Sequence, residues 1–100
     1  MNSIFSIATG ALRAFGIKQK STATNIANIN TGDYKPLDVS MQETQNGGVK
    51  AYVTRSEDAC RVDIAKEMVD MVVTADSFKA NTEPIKAEDE MIKSLIDIKV

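Results

Sequence analysis

Apolar residues recur at helical spacing from residue 3 to about residue 30. Ile4, Ala8, Ala11 and Phe15 follow a 4-3-4 progression, and Phe5 and Leu12 widen the same stripe. Arg13, Lys18 and Lys20 fall mostly off it, and Gln19 reads as exposed. Ala23, Ile26 and Ile29 restore the apolar face before Asn28-Ile29-Asn30-Thr31-Gly32-Asp33 stops the helix, with Gly and Asn suited to a left-handed turn. Gly10 and Gly16 each weaken such a helix by roughly 1 kcal/mol relative to Ala, so it needs a packing partner.

The middle of the chain changes period. Leu37, Val39 and Met41 alternate with Asp38, Ser40 and Gln42, and Val49, Ala51 and Val53 alternate with Lys50, Tyr52 and Thr54. Gln45-Asn46-Gly47-Gly48 lies between them and accepts the positive φ of a hairpin turn. An isolated two-stranded hairpin is marginal in water, so it requires cover from a helix or a neighbouring subunit. Arg55 to Ala59 reads as a polar loop.

The last third predicts a second helix. Asp63 can cap it, and Ile64, Met68, Met71, Ala75, Phe78, Thr82 and Ile85 run at unbroken 4-3 spacing, the seam of a coiled coil. Met91, Ile92, Leu95, Ile96 and Ile98 then form a broader apolar face. At roughly 1.5 Å per residue this segment would reach about 57 Å. A compact chain of this length has a radius of gyration of about 13 Å. Either the helix breaks, with Pro84 the obvious place to kink, or the molecule is elongated and offers its seam to partners. The expected fold is mainly α: long N- and C-terminal helices packed antiparallel, coiled-coil-like, with a small β hairpin between them. It is expected to form one elongated unit, with residues 1–33 as helix and turn, 34–61 as hairpin and loop, and 62–100 as the second helix.

Composition narrows the chemistry. With 43% hydrophobic and 26% charged residues in 100, the chain has the make-up of one ordinary domain with a small core. His is absent and Cys60 is the sole Cys, which removes His-based triads, His metal sites and any disulfide within the chain. Cys60 reads as a small, tolerated side chain. A net charge of −2 and 5% aromatics argue against nucleic-acid binding. Charge divides unevenly, +2 over residues 1–50 and −4 over 51–100. Glu88-Asp89-Glu90 point in different directions on a helix and read as solvated surface. No catalytic, cofactor-binding or metal-ligating residue is expected. An enzyme using Asp or Glu with a bound metal is the weakest of the readings. No apolar run is long enough to span a membrane, and Met1-Asn2-Ser3-Ile4-Phe5 has no basic region of a cleavable secretory signal.

One constellation, at both ends of the chain, is specific. Thr24-Asn25-Ile26-Ala27-Asn28-Ile29-Asn30-Thr31-Gly32-Asp33-Tyr34-Lys35 resembles the N-terminal signature of bacterial flagellar axial proteins, close to N-N-I-A-N-x-N-T-P-G-Y-K. Val62-Asp63-Ile64-Ala65-Lys66-Glu67-Met68-Val69-Asp70-Met71 is similar to that family's V-N-x-x-x-E-M-V-x-M. Phe78-Lys79-Ala80-Asn81 resembles Y-x-A-N, and Asp89-Glu90-Met91-Ile92 resembles D-E-M-L. The motif positions are thus Asn25, Ala27, Asn28, Asn30, Thr31, Tyr34, Glu67, Met68, Ala80, Asn81, Asp89, Glu90 and Met91. The chain departs from the pattern at Gly32-Asp33, where the family has Pro-Gly, at Ala75-Asp76, where it has Gln-Arg, and at Pro84.

The resemblance implies a subunit of the flagellar basal-body rod, most like the short proximal ones. Such a subunit would pack with other rod subunits and with itself, after passing the flagellar export apparatus without a cleaved signal to the periplasmic rod. Phe15, Ile26, Ile64, Met68, Met71, Phe78, Ile85 and Leu95 are the residues expected to carry assembly, although an internal helix pair would use the same stripe. The alternative is a small helical adaptor or export chaperone of the flagellar system.

Overall fold

Two helices and a hairpin follow in chain order: α1 (Asn2–Ala27), β1 (Leu37–Glu43), β2 (Val49–Arg55) and α2 (Ile64–Lys99). The computed structural model describes residues 2–45 and 47–99. Asn46, part of the expected hairpin turn, lies outside them. The molecule is elongated, 63 × 25 × 15 Å with a radius of gyration of 17.7 Å. Its length is set by α2, whose 36 residues continue through Pro84. Asp63 starts that helix as expected, its Oδ1 accepting the Lys66 N–H at 3.2 Å.

The helices run antiparallel. Asn25 and Lys18 of α1 reach Glu67 and Asp70 near the start of α2. Phe5 shares a cleft with Ile85 and Ile92 at the far end. The strands pair antiparallel, Leu37 opposite Arg55 and Glu43 opposite Val49. The hairpin lies along α1, not α2. Leu37 is held by Asn25, while a side chain added at Gly47 would meet Ile7 at 3.7 Å. Gly47 takes φ +84°, the left-handed geometry that suits Gly in a turn.

Because α1 is covered on two sides, its buried residues are small. Ala8, Ala11 and Ala14 are the buried hydrophobic residues among those described, joined by Ser21, Thr22 and Asn25, with Glu67 and Thr74 from α2. Large apolar side chains take other positions: Ile4 and Phe5, expected within the packed stripe of α1, are exposed. Small residues let helix and hairpin backbones approach, but they bury little apolar area, so hydrophobic stabilisation of the isolated chain is modest.

The end of α1 also differs in detail from expectation. The helix stops at Ala27 and a turn follows, with Thr31 N–H donating to the Asn28 carbonyl at 3.0 Å. The left-handed residue is Asp33, at φ +56°, rather than Gly32 or an Asn. Arg55, expected in the following loop, is the last residue of β2.

Candidate assembly interface

The buried Asn25 joins α1, β1 and α2. Its carboxamide nitrogen donates to the Leu37 carbonyl at 2.9 Å and to Glu67 Oε1 at 3.0 Å. Its oxygen accepts from the Tyr34 hydroxyl at 2.7 Å and from the Leu37 N–H at 2.8 Å. Both donors and both lone pairs of the amide are thereby used, as a buried amide requires. Asn28 shapes the turn below: its nitrogen donates to the Thr24 carbonyl at 2.8 Å, and its oxygen accepts from the Thr31 hydroxyl at 3.0 Å. Ala27 and Asn30 are exposed on either side of Asn28.

One turn of α2 further on, Asp70 Oδ2 lies 2.9 Å from Lys66 Nζ and 3.4 Å from Lys18 Nζ. The hydrogen bond from Lys66, then the charge of Lys18, hold the Asp70 carboxyl below its ordinary range. The hydrogen bond to Asp70 correspondingly raises Lys66. Gln19 Nε2 donates to the Met71 carbonyl at 3.3 Å. Lys18 and Gln19, expected to point outward, therefore both reach the second helix, because their long side chains extend along the helix contact.

The eight residues expected to carry assembly divide between two faces. Phe15 and Phe78 line one cleft between the helices with Gln19, Thr74 and Ala75. Ile85 lies in the cleft beside Phe5, and Met71 and Ile26 are half-buried. Ile64, Met68 and Leu95 are exposed, Met68 at 58% and Leu95 at 57%. Of the C-terminal motif positions, Asn81 is half-buried and donates to the Ser77 carbonyl at 2.9 Å. Ala80, Asp89, Glu90 and Met91 are exposed, and Asp89 pairs with Lys93 at 3.4 Å.

A further apolar cluster lies outside the expected seam. Val69, Val72 and Val73 are exposed with Met68, Val72 at 61%. Successive helical residues turn by about 100°. Met68, Val69, Val72 and Val73 therefore form one stripe on the side of α2 opposite the buried Glu67 and Thr74. The signal was present in their i, i+1, i+4, i+5 spacing. Met91, Leu95, Ile96 and Ile98 form a second exposed apolar patch near the end of the helix, separated from the first by exposed Asp76, Lys79, Glu83 and Lys86. Among the described residues no group of His, Cys, Asp or Glu is placed to hold a metal, and no helix is long and apolar enough to cross a membrane.

Two family models match the chain at the segments the geometry brings together. Residues 5–35 match "Flagella basal body rod protein", and residues 61–98 match "Flagellar basal body rod FlgEFG protein C-terminal". No individual curated protein matches it. The two matched segments meet at the Asn25–Glu67 hydrogen bond and together cover more than half of the chain. These are families of structural proteins of the flagellar basal body, and the chain belongs to the flagellar basal body rod protein family.

Proposed function

We propose that the protein is a structural subunit of the basal-body rod, of the short proximal kind, which self-assembles by helix packing and serves motility by transmitting torque. It works as one elongated unit, partnered by other rod subunits and by further copies of itself, and it catalyses nothing. It reaches the periplasmic rod through the flagellar export apparatus. Assembly uses Ile64, Met68 and Leu95 outward, while Phe15, Ile26, Met71, Phe78 and Ile85 set the spacing of the helix pair.

The observation that carries this reading is the inversion of the helix pair. Small and polar residues are inside, and Met68, Val69, Val72, Val73, Leu95 and Ile96 are outside. A finished monomer rarely leaves two such apolar patches open, whereas a subunit that buries them against neighbours requires them. Repetition of a head-to-tail contact that does not close gives a helical assembly.

The test is co-purification with detergent-extracted hook–basal bodies, with a tag in the Gly47-Gly48 turn at a placement that preserves motility. Recovery in fixed proportion to other basal-body components supports the rod subunit. Absence from that fraction, with abundant protein in the cytoplasm, overturns it in favour of the adaptor or export chaperone.

A further inference from the structure

The hairpin has two open edges of opposite charge. Its hydrogen-bonding phase follows from the bonds at its two ends: Ser56 N–H donates to the Pro36 carbonyl at 2.9 Å, and Thr44 N–H to the Gly48 carbonyl at 2.8 Å. Antiparallel pairs alternate between bonded and non-bonded. The bonded pairs are therefore 38–54, 40–52 and 42–50 in this register. The N–H and C=O groups of Leu37, Val39, Met41 and Glu43 point out from β1, and those of Val49, Ala51, Val53 and Arg55 point out from β2.

One of these outward positions already has a partner. Asn25 accepts from the Leu37 N–H and donates to the Leu37 carbonyl, as a residue of a third strand would. Beyond it, among the described residues, nothing in the chain bonds the outward backbone groups of Val39, Met41, Ala51 or Val53. Unpaired edges of this length are templates for another strand.

We propose that the hairpin edges pair between copies of this chain, β1 of one against β2 of the next, so that the sheet continues from subunit to subunit. Charge selects this pairing. β1 carries Asp38 and Glu43 and no cation, whereas β2 carries Lys50 and Arg55 and no anion. None of the four is ion-paired within the chain among the described residues. Pairing β1 with β1, or β2 with β2, sets like charges side by side, which is unfavourable across strands. Pairing β1 with β2 of a second copy sets opposite charges together. That contact is head-to-tail, so repeating it propagates. It adds to helix packing a contact made by the hairpin alone, and it stands whether or not the chain enters the rod.

The experiment uses the full chain, kept reduced so that Cys60 forms no cross-link, in sedimentation velocity and amide hydrogen exchange over a concentration series. The wild type is expected to associate as concentration rises, with the Met41 and Val53 amides gaining protection. Met41→Pro and Val53→Pro each delete an outward N–H and leave the hairpin's own ladder intact. Both are expected to abolish association with an unchanged far-UV spectrum. A variant with Asp38→Lys and Glu43→Lys, and a second with Lys50→Glu and Arg55→Glu, should each be monomeric alone and associate when mixed. If a proline unfolds the hairpin, the charge-exchanged mixture decides. A wild type that stays monomeric with freely exchanging edge amides overturns the proposal, as does association that survives both prolines or a mixture that fails to associate. Any of these leaves the basal-body test unaffected, because that test reads recovery from the cell and this one reads purified chain.

Discussion

The Asn25 carboxamide donates to Glu67 across the helix pair at 3.0 Å, so residues 42 positions apart are joined at the point where α1 ends and α2 begins. The same amide also holds both backbone groups of Leu37, which fixes where the hairpin leaves the helix. One polar side chain thus sets the relative placement of three elements. A buried amide can do this only when all of its hydrogen-bonding capacity is used, since each unmet group costs about 1–3 kcal/mol.

Asn25→Ala is accordingly expected to destabilise the chain by about 2–3 kcal/mol, because Tyr34, Leu37 and Glu67 all lose a partner. Glu67→Gln keeps an oxygen that accepts from Asn25, and its cost should stay below about 1 kcal/mol. Urea unfolding of the two variants checks the contrast. Equal losses would mean that the charge of the Glu67 carboxylate, rather than the hydrogen-bond count at Asn25, holds the junction together.

Asp33 sits at φ +56°, where a residue with a Cβ is strained by roughly 1–2 kcal/mol. Asp33→Gly, which places Gly where the family pattern has it, should raise stability by about 0.5–1 kcal/mol after the greater freedom of the unfolded Gly is offset. Gly32→Ala meets nothing within 4 Å and its φ is not positive, so it should stabilise by about 0.4–1 kcal/mol through the smaller freedom of the unfolded chain. Thermal melts of both variants test the assignment of the left-handed position.

Much of the fold is legible in periodicity, because helices and strands impose different repeats on the same apolar residues. Leu37, Val39, Val49 and Ala51 alternate and form the strands, and Asp63 caps α2. Asn25, Asn28 and Glu67 are visible in the motif. Their physical role is not, since nothing local says that a side chain will bond a strand twelve residues later. Periodicity found the packed face of α1, on which Ala8 and Ala11 are buried, but not which of its members are buried. Ile4 and Phe5 are larger than Ala8 and Ala11 and appear better core residues, yet close approach of α1 to its neighbours favours the small ones. Spacing reports which residues share a face, but not how near the partner comes.

The Asp70 cluster gives stability a defined pH dependence. Asp70 is held below its ordinary value of 3.8, so its contribution is present above that pH and is lost as pH falls through the folded value. Lys66 is raised above 10.5, so its contribution is present below that pH and is lost as pH rises through its folded value. Asp70→Asn should remove both limbs. The urea midpoints of wild type and variant are expected to differ at neutral pH and to converge in acid below the folded carboxyl value. A gap that persists there would show that Asp70 acts through packing.

Inward and outward faces of the helix pair should respond differently to substitution. Val72 is 61% exposed and lies opposite the side of α2 that meets α1, so Val72→Lys removes little internal contact. The monomer's stability should change by no more than about 0.5 kcal/mol. Ala11 is 7% exposed against α1's neighbours, and Ala11→Leu forces extra volume into that contact, costing about 1–3 kcal/mol. In recovery with basal bodies the order reverses per unit of stability lost: Val72→Lys should be depleted although folded, because a charge replaces the apolar surface a neighbouring subunit would cover. Chemical denaturation and quantitative recovery, measured on the same two variants, separate folding from assembly. If Val72→Lys is recovered like wild type, the stripe from Met68 to Val73 does not face a subunit and helix packing must use the other exposed end, at Met91 to Ile98.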